Sequence, residues 1–196
     1  MPPRFKRAAA YGAYAGELRD LIHLFKYQQV RSAGKTLARF LSEAVAALDL
    51  PEKVTVIPVP LWKGKRQARG FNQAEEIARA FMSFHVGPAS IQLDTASLIR
   101  RRDTASQTGL TRRQRQANVR GAFAVVHKEK IQGLSILMVD DVMTTGTTAA
   151  ECARALLRAG AKEVFVATVA RATKELGNDL GQWTERLAAA VSPGGN

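Results

Sequence analysis

LSILMVDDVMTTGTTAAECARALLRA, residues 134–159, is the stretch that decides the fold. Its apolar start ends at two adjacent acids, Asp140 and Asp141, which precede a short loop of threonine and glycine. After the loop, alanine and leucine recur at helical spacing, so the stretch predicts a buried strand, a small-residue loop and a helix. Because the first N–H groups of a helix have no partner within it, and the helix dipole adds positive potential, this loop favours a phosphate group.

The two acids indicate what else the ligand contains. Adjacent carboxylates beside an anion site repel each other and the anion, unless hydroxyl groups or a cation lie between them. Asp140 and Asp141 followed by a phosphate loop therefore predict a ligand that is both a polyol and a phosphate. The alternative is an ordinary strand-to-helix turn, in which Asp, Thr and Gly serve only to cap the helix.

Composition limits the architecture. The chain has 196 residues, of which 46% are hydrophobic, so we expect one domain with small appendages. No segment has the length and apolarity of a membrane span, and the first residues lack the apolar stretch of a secretory signal, which predicts a cytoplasmic protein. Cys152 is the single cysteine, so the chain itself can form neither an internal disulfide nor a cysteine-based zinc site.

The net charge of +12 is concentrated in two short segments. Residues 61–70 contain four cations and no acid, and residues 100–120 contain seven arginines and one acid. These segments account for ten of the twelve excess charges. Such clustering indicates a localised anionic partner, which could be a pyrophosphate group, a nucleic acid or both.

The rest of the chain predicts alternating helices and strands. Apolar residues at helical spacing predict helices over residues 14–29 and 35–48, and apolar runs predict buried strands over 54–59, 121–126 and 163–170. The alternation predicts an α/β fold, a mostly parallel doubly wound sheet with flanking helices and a small helical hood. We expect the following division: a helical hood at 1–52, the α/β core at 53–171, and a C-terminal helix and tail at 172–196.

A second anion site is predicted where the strand at 54–59 ends. The prolines at 58 and 60 terminate that strand, and a basic, glycine-containing loop follows before the helix that begins near Phe71. The carboxyl ends of parallel strands meet at one edge of a sheet, so this loop faces the first site. The alternative is a solvated basic loop with no ligand.

Residues 94–120 predict a short strand, a polar arginine-rich loop and a short helix from Thr111 to Asn118. The loop has little to bury, so we expect it to be mobile. Arginine makes bidentate contacts with phosphate oxygens. The loop could therefore cover a phosphate ligand or follow a nucleic-acid backbone.

Residues 136–148 resemble the signature of the type I phosphoribosyltransferases: four apolar residues, two acids, a few variable residues and Thr-Gly-Thr-Thr. The resemblance implies the type I phosphoribosyltransferase fold and a site for phosphoribosyl pyrophosphate (PRPP). It implies that Asp140 and Asp141 are the catalytic acids, which hold the ribose hydroxyls. It also implies a binding loop for the 5′-phosphate, made of Thr144, Thr145, Gly146, Thr147 and Thr148.

In that family, the loop after an earlier strand binds pyrophosphate, and a flexible loop covers PRPP and excludes water. The pyrophosphate-loop candidates implied here are Val59, Pro60, Leu61, Arg66, Arg69 and Asn72. The flexible-loop candidates are Arg101, Arg102, Gln107 and Arg113. For Arg69 and Asn72, the sequence leaves open whether they contact ligand or brace the loop. The resemblance further implies Mg²⁺, bound mainly through PRPP and water, and no residue is assigned as a direct protein ligand.

The segments Pro58-Val59-Pro60 and Arg69-Gly70-Phe71-Asn72-Gln73 resemble the ComF family of amidophosphoribosyltransferase-like bacterial proteins, which is associated with competence and DNA uptake. Proteins of that family usually carry a four-cysteine zinc module before the first helix, and this sequence contains none. We expect either a short form or a start that falls inside a longer reading frame.

These features predict two functions of different classes. The first is an enzyme of the glycosyltransferase class, which transfers a phosphoribosyl group from PRPP to an unidentified nitrogen acceptor and releases pyrophosphate. The second is a DNA-binding competence or DNA-uptake factor, which keeps a PRPP site without turnover and binds single-stranded DNA or another nucleic acid. A third reading is a Rossmann-like domain with a basic surface and no PRPP affinity. The sequence names no general base, and it leaves the acceptor and a homodimer open.

Overall fold

The computed structural model describes residues 4–27, 30, 32–84, 90–104 and 112–172, and within 112–119 the side chains of residues 114 and 117–119. In these ranges the chain forms the strands β1 Arg7–Ala13, β2 Lys53–Pro58, β3 Ser90–Leu93, β4 Leu98–Arg100, β5 Phe123–Val125, β6 Ser135–Met143 and β7 Glu163–Arg171. The helices are α1 Gly16–Tyr27, α2 Ala33–Ala46, α3 Lys63–Arg69, α4 Gln73–Phe84, α5 Arg112–Val119 and α6 Thr147–Arg158, with a 3₁₀ turn at Lys128–Lys130. No helix among those described is long and apolar enough to cross a membrane.

Five strands form one parallel sheet in the order β1-β7-β6-β2-β3. Strand β6 lies at its centre, where Ile136 pairs with Thr55 of β2 and with Val164 of β7. The central strands are nearly continuous apolar runs, which is typical of parallel strands covered on both faces. The parallel sheet with helices on both faces confirms the predicted α/β fold class.

The two faces of the sheet bury alternate residues of β6. Leu137 and Val139 pack with α1, α2 and α4, while Ile136 and Met138 pack with α6. Successive side chains of a strand point to opposite faces, and the alternation continues into the two acids that follow. The second acid therefore lies on the face covered by α1, and the first acid lies on the face covered by α6.

Strands β4 and β5 form a separate antiparallel pair, in which Ile99 pairs with Ala124. This pair packs on α5 and α6 through Leu98, Phe123 and Val119. The strand predicted at 121–126 therefore exists in shortened form, but it belongs to this pair and not to the parallel sheet.

Strand β1 is absent from the sequence-based prediction, which expects only helices in residues 1–52. It is the edge strand next to β7, with Ala9 paired to Ala167. Its sequence, RAAAYGA, contains no β-branched residue, so its extended conformation depends on pairing with β7. Helix α2 also packs on this sheet. The first 52 residues thus contribute to the common core, and the predicted boundaries at 52 and 171 stay predictions.

The basic segment after β2 differs from the predicted loop, because residues 63–69 form the helix α3. Lys, Arg, Gln and Ala are good helix formers, and together they outweigh the single glycine at position 64. The helix ends at Gly70, whose left-handed φ of 81° suits a glycine C-cap. None of its side chains is buried. The terminal helix predicted at 172–196 and most of the predicted mobile loop lie outside the described residues.

Candidate functional site

The two acids lie inside a strand and not after it. The apolar pattern predicts a strand end at Val139, but β6 continues to Met143, because Asp140 pairs with Thr168 of β7. Each acid also accepts a backbone N–H through its Oδ1 atom: Asp140 from Asp141 at 2.9 Å, and Asp141 from Val142 at 2.7 Å. The sheet therefore fixes the direction in which both carboxylates point.

The turn between β6 and α6 forms the predicted phosphate loop. Gly146 has a left-handed φ of 71°, which redirects the chain into the helix, and its carbonyl accepts the N–H of Ala150 at 2.8 Å. The hydroxyls of Thr145 and Thr147 are hydrogen-bonded at 2.7 Å. A cavity of about 250 Å³ lies over this turn, and it is lined by Thr144, Gly146, Thr147, Thr148, both acids, Tyr14 and Lys26. The helix N-terminus and the hydroxyls make this cavity suited to an anion.

A second cavity, of about 170 Å³, lies on the other side of the acids. It is lined by the turn after β2, at Val59, Pro60 and Leu61, and by side chains of several other elements, namely Arg69, Asn72, Gln73 and Arg100. The two cavities share a wall made of Lys26, Asp140, Asp141 and Thr148. The predicted phosphate loop and the predicted pyrophosphate loop thus lie on opposite sides of one carboxylate pair.

Lys26, at the end of α1, is a site residue that the sequence analysis does not identify. Its Nζ atom lies 2.8 Å from Oδ2 of Asp141, and the lysine side chain is only 17% exposed. Burial lowers the pKa of Lys26, but the charge of Asp141 and the hydrogen bond to it outweigh burial, so the net pKa is raised. The ammonium group is therefore charged inside the site. The only local signal is the Phe25-Lys26-Tyr27 triplet, which is equally typical of a helix end.

Asp140 has the most perturbed carboxyl group of the site. Burial, reinforced by the negative charge of Asp141, raises the pKa of Asp140 to about 8, although Lys26 opposes the shift. A buried carboxyl group with a raised pKa is stabilised by a partner, either a hydroxyl donor or a cation. The geometry therefore supports the prediction, made from sequence, that the acids bind a polyol.

Asn72 and Arg69 have different roles in the second cavity. Asn72 is buried, donates from Nδ2 to the carbonyl of Val59 at 3.1 Å and accepts the N–H of Ala74 at 3.2 Å. It therefore braces the turn after β2 against the start of α4. Arg69 is partly exposed, donates to Oε1 of Gln73 at 2.8 Å and stacks over the ring of Tyr27 at 5.3 Å. Its guanidinium lines the cavity and is positioned to contact an anion there.

Three of the arginines that the sequence predicts to bind ligand line neither cavity. Arg66 is exposed, lies 3.4 Å from Glu75 and lines neither cavity. Arg101 is exposed. Arg102 donates to the backbone carbonyls of Asn118 and Arg120 at 3.0 and 2.8 Å, so it holds the end of α5. The described contacts of Arg102 are therefore structural. Gln107 and the side chain of Arg113 lie outside the described residues.

Arg100 lines the second cavity, although the sequence gives no reason to prefer it over its two neighbours. Its guanidinium stacks over Phe123 at 5.5 Å and hydrogen-bonds to the hydroxyl of Thr104. Burial lowers its pKa, and its Nε atom has no hydrogen-bond partner among the described residues. Gln73 is 3% exposed, and its Nε2 atom is likewise unpaired in the described part of the chain. Both side chains line the cavity, although the two unpaired atoms themselves are buried.

The two acids fit Mg²⁺ only if a bound phosphate compound and water supply the other ligands. No group of three or more His, Cys, Asp or Glu side chains that could hold a metal occurs in the described ranges. Mg²⁺ prefers oxygen ligands and keeps several of its waters, so two carboxylates plus ligand oxygens would satisfy it. Asp140 and Asp141 fit that arrangement, in which most ligands come from a bound phosphate compound and water.

Comparison with known proteins shows which family the chain belongs to. Residues 67–187 match the family model of the phosphoribosyl transferase domain. The chain is 34% identical over 171 residues to the DNA utilization protein YhgH of Escherichia coli K12, which covers 84% of this chain and 72% of that protein. It is 33% identical over 178 residues to Competence protein F of Haemophilus influenzae, with coverages of 87% and 75%.

Among solved structures, the chain is similar to a phosphoribosyltransferase from Corynebacterium diphtheriae, with 18% identity and a TM-score of 0.43 over 86% of this chain and 88% of that one. A likeness at this level carries no weight beside the matches in sequence. Those matches span most of the chain, and they include the loop and both acids. The chain belongs to the phosphoribosyl transferase domain family and is a phosphoribosyltransferase-like protein of the ComF type.

Proposed function

We propose that this protein binds PRPP with Mg²⁺ and transfers the phosphoribosyl group to a nitrogen acceptor, with release of pyrophosphate. The observation that carries the proposal is the wall shared by the two cavities. Asp140 and Asp141 lie between a helix N-terminus on one side and a group of cationic and amide side chains on the other. PRPP has its groups in the same order: a phosphate, a ribose with two hydroxyls, and a diphosphate.

Each part of PRPP has a matching part of the site. The 5′-phosphate binds at Thr144–Thr148, where backbone N–H groups and hydroxyls donate to it. The ribose hydroxyls donate to Asp140 and Asp141. The diphosphate lies beside the turn at Val59, which Asn72 braces, and within reach of Arg69. Three rigid elements thus hold one flexible substrate in a fixed orientation, which lowers the entropy cost of reaction.

The transfer is a displacement at the anomeric carbon. The bond from that carbon to the diphosphate oxygen breaks, and its electron pair leaves on pyrophosphate. The lone pair of the acceptor nitrogen forms the new bond, and the proton that the nitrogen loses passes to pyrophosphate or water. Positive charge develops on the ribose during this step, and the carboxylate of Asp141 stabilises it. Asp140, whose pKa is about 8 in the free protein, would join it as a carboxylate once the charge of bound Mg²⁺ lowers that pKa. When bound, Mg²⁺ supplies positive charge to the leaving pyrophosphate.

Pyrophosphate release tests this proposal. The protein is incubated with PRPP, Mg²⁺ and a panel of nucleobases, ammonia and small amines. We expect release with at least one acceptor, and a rate lowered by about 100-fold or more in Asp140→Asn/Asp141→Asn, because neutral amides replace the ionisable groups that stabilise the transition state. Asp49→Asn, at a side chain that is 86% exposed, is the matched control. Absence of release with every acceptor, despite PRPP binding, would contradict turnover.

A second function, nucleic-acid binding, is favoured by the surface of α3. This helix exposes Lys63, Lys65 and Arg66, and Lys63 lies 5.6 Å from the ring of Trp62. In a single-stranded nucleic acid, the phosphates contact cations and the bases stack on aromatic rings, so this surface suits such a ligand. Two relatives are named for DNA utilization and for competence. We propose DNA binding at α3 as the alternative, with the PRPP site kept as a sensor.

A titration of a fluorescent single-stranded oligonucleotide tests the alternative. Lys63→Ala/Lys65→Ala is compared with Lys128→Ala/Lys130→Ala, which removes the same charge from an exposed turn at the other end of β6. We expect binding that weakens with salt and that only the α3 variant loses, by about tenfold. Equal losses in both variants, or no binding at low salt, would exclude α3 as the DNA surface.

A further inference from the structure

The second cavity is lined by cationic and amide side chains, namely Arg69, Asn72, Gln73 and Arg100. Gln73 Nε2 and Arg100 Nε are both buried, and neither has a partner among the described residues. Leaving a buried donor unpaired costs on the order of 1–3 kcal/mol, so each of these two atoms lacks a partner that would stabilise it. The cationic and amide groups of Arg69, Gln73 and Arg100 suit a ligand group that accepts hydrogen bonds.

Lys26 adds a positive charge to the same place. It lines both cavities, and its contact with Asp141 holds it on the wall between them. The neighbouring residues of α1 fix the lysine backbone: Phe25 is buried against Phe71, at 5.3 Å between ring centroids, and Tyr27 stacks under Arg69. The ammonium group, at the end of four rotatable bonds, can therefore change partners while the helix stays in place.

We propose that Lys26 is a diphosphate-binding residue that exchanges partners when substrate binds. The inference rests on the proposed function, because it assumes a ligand with a sugar and a diphosphate. In the exchange, the ribose hydroxyls take over Oδ2 of Asp141, and the ammonium group turns into the second cavity. There it joins Arg69, Gln73 and Arg100 around the diphosphate oxygens.

The exchange explains how ribose can reach Asp141 although Lys26 is paired with it. The N–H of Val142 and the ammonium group of Lys26 each occupy one oxygen of Asp141, so a ribose hydroxyl competes with Lys26 for Oδ2, which lies 2.8 Å from the lysine. Expelling the ammonium into apolar surroundings would leave a buried charge without a partner, which is strongly unfavourable. A diphosphate in the adjoining cavity supplies a new partner at a short distance. Lys26 thus favours PRPP, which fills both cavities, over a sugar phosphate that fills only one.

Two half-ligands separate this role from a structural one. Calorimetry measures inorganic pyrophosphate and ribose 5-phosphate, each with Mg²⁺, on the wild type, Lys26→Met, Lys26→Arg and Lys128→Met. Lys128 is an exposed lysine near the start of β6, far along the strand from the acids, so it controls for net charge. We expect Lys26→Met to weaken pyrophosphate binding by about tenfold or more, the usual size of a hydrogen bond between charged groups.

Ribose 5-phosphate should bind Lys26→Met as tightly as the wild type or more tightly, because its competitor for Asp141 is gone. Lys26→Arg keeps the charge and should retain most pyrophosphate affinity. If Lys26→Met fails to fold, Lys26→Gln, which keeps a donor for Asp141, is measured in its place. Equal losses for both half-ligands, or none for pyrophosphate, would overturn the inference. Failure of the wild type to bind PRPP or ribose 5-phosphate, with pyrophosphate binding intact, would instead overturn the proposed function.

Discussion

The Nζ atom of Lys26 lies 2.8 Å from Oδ2 of Asp141, and this ion pair joins the end of α1 to the carboxyl end of β6. Both side chains are largely buried, and Asp140 lies next to them. Removing one partner of a buried pair leaves the other charge uncompensated, which costs more than the pair contributes to stability. The contact therefore makes a region that the sequence marks only as a helix end part of the site.

Lys26→Met should lower the free energy of unfolding by about 3 kcal/mol, because the Asp141 carboxylate is left buried beside a second acid. Adding Asp141→Asn should restore part of this loss, since the uncompensated charge is removed. Urea denaturation of both single variants and the double variant measures the coupling between the two residues. If the losses in the double variant are simply additive, the two side chains do not interact as described.

The raised pKa of Asp140 predicts how stability depends on pH. The folded protein holds a proton on Asp140 up to about pH 8, whereas the unfolded chain releases it near 3.8. Between these values the folded state binds more protons, so the free energy of unfolding should fall as pH rises. Urea denaturation between about pH 5 and 8 measures this slope, and Asp140→Asn should flatten it.

Among the other groups with a shifted pKa, His23 acts within that range and in the opposite direction, because burial lowers its pKa below 6.5 and the folded state then binds fewer protons than the unfolded chain. The following groups act outside the range. Lys26 has its pKa raised above 10.5, so its contribution is complete below that value and is lost only as the pH rises through it. Asp94, Glu151 and Glu163 have lowered pKa values, and the stability they contribute is lost only as pH falls below their usual range. An unchanged slope in Asp140→Asn would show that another group causes the dependence.

Gly146→Ala should lower both stability and ligand affinity. Its φ of 71° lies in the left-handed region, where a Cβ costs about 1–2 kcal/mol, and the nearest contact would be the sulfur of Met143 at 3.7 Å. Gly133→Ala is the matched control, because that glycine has a similar φ of 76° and open space around it. It lies before the start of β6, at the other end of the strand from Gly146. Thermal melting should show similar losses for both variants. Only Gly146→Ala should weaken ribose 5-phosphate binding; an equal effect of both would argue against a phosphate loop at this turn.

Asn72→Ala should affect the pyrophosphate half of the site alone. It removes the hydrogen bond that braces Val59 and the N-cap of α4, with a combined cost of about 2 kcal/mol. Asn72→Ser keeps a capping oxygen but is too short to reach Val59, so it separates the two roles. Calorimetry should show weaker pyrophosphate binding in both variants and unchanged ribose 5-phosphate binding. Intact pyrophosphate binding in Asn72→Ser would show that the brace is not needed.

The sequence predicts those parts of the site whose residues lie within one short segment. The phosphate loop is one continuous segment, in which the apolar run, the acids, Gly146 and the following helix each provide a local signal. Asn72 lies in a recognisable segment as well, but only the structure shows that it braces a turn thirteen residues away. Local pattern thus identifies the residues, and tertiary contacts decide what they do.

Other residues could not be found in this way, because their partners are distant in sequence. Lys26 contacts Asp141, which is more than a hundred residues away in sequence, and no local pattern around Lys26 predicts that contact. Arg100, Arg101 and Arg102 are chemically alike, and the pairing of β4 with β5 decides which one faces the cavity. Strand β1 has a weak sequence signal and is held by β7. In each case, tertiary packing overrides or supplements the local preference.

Calorimetry of PRPP with Mg²⁺ tests the central claim most directly, namely that the acids and the loop after β6 form a PRPP site. The wild type should bind PRPP, and Asp140→Asn/Asp141→Asn should bind at least about tenfold more weakly, because two carboxyl groups that accept from the ribose hydroxyls are replaced by amides. Asp49→Asn should bind like the wild type. Equal PRPP affinity in the wild type and the double variant, with both proteins folded, would contradict the account.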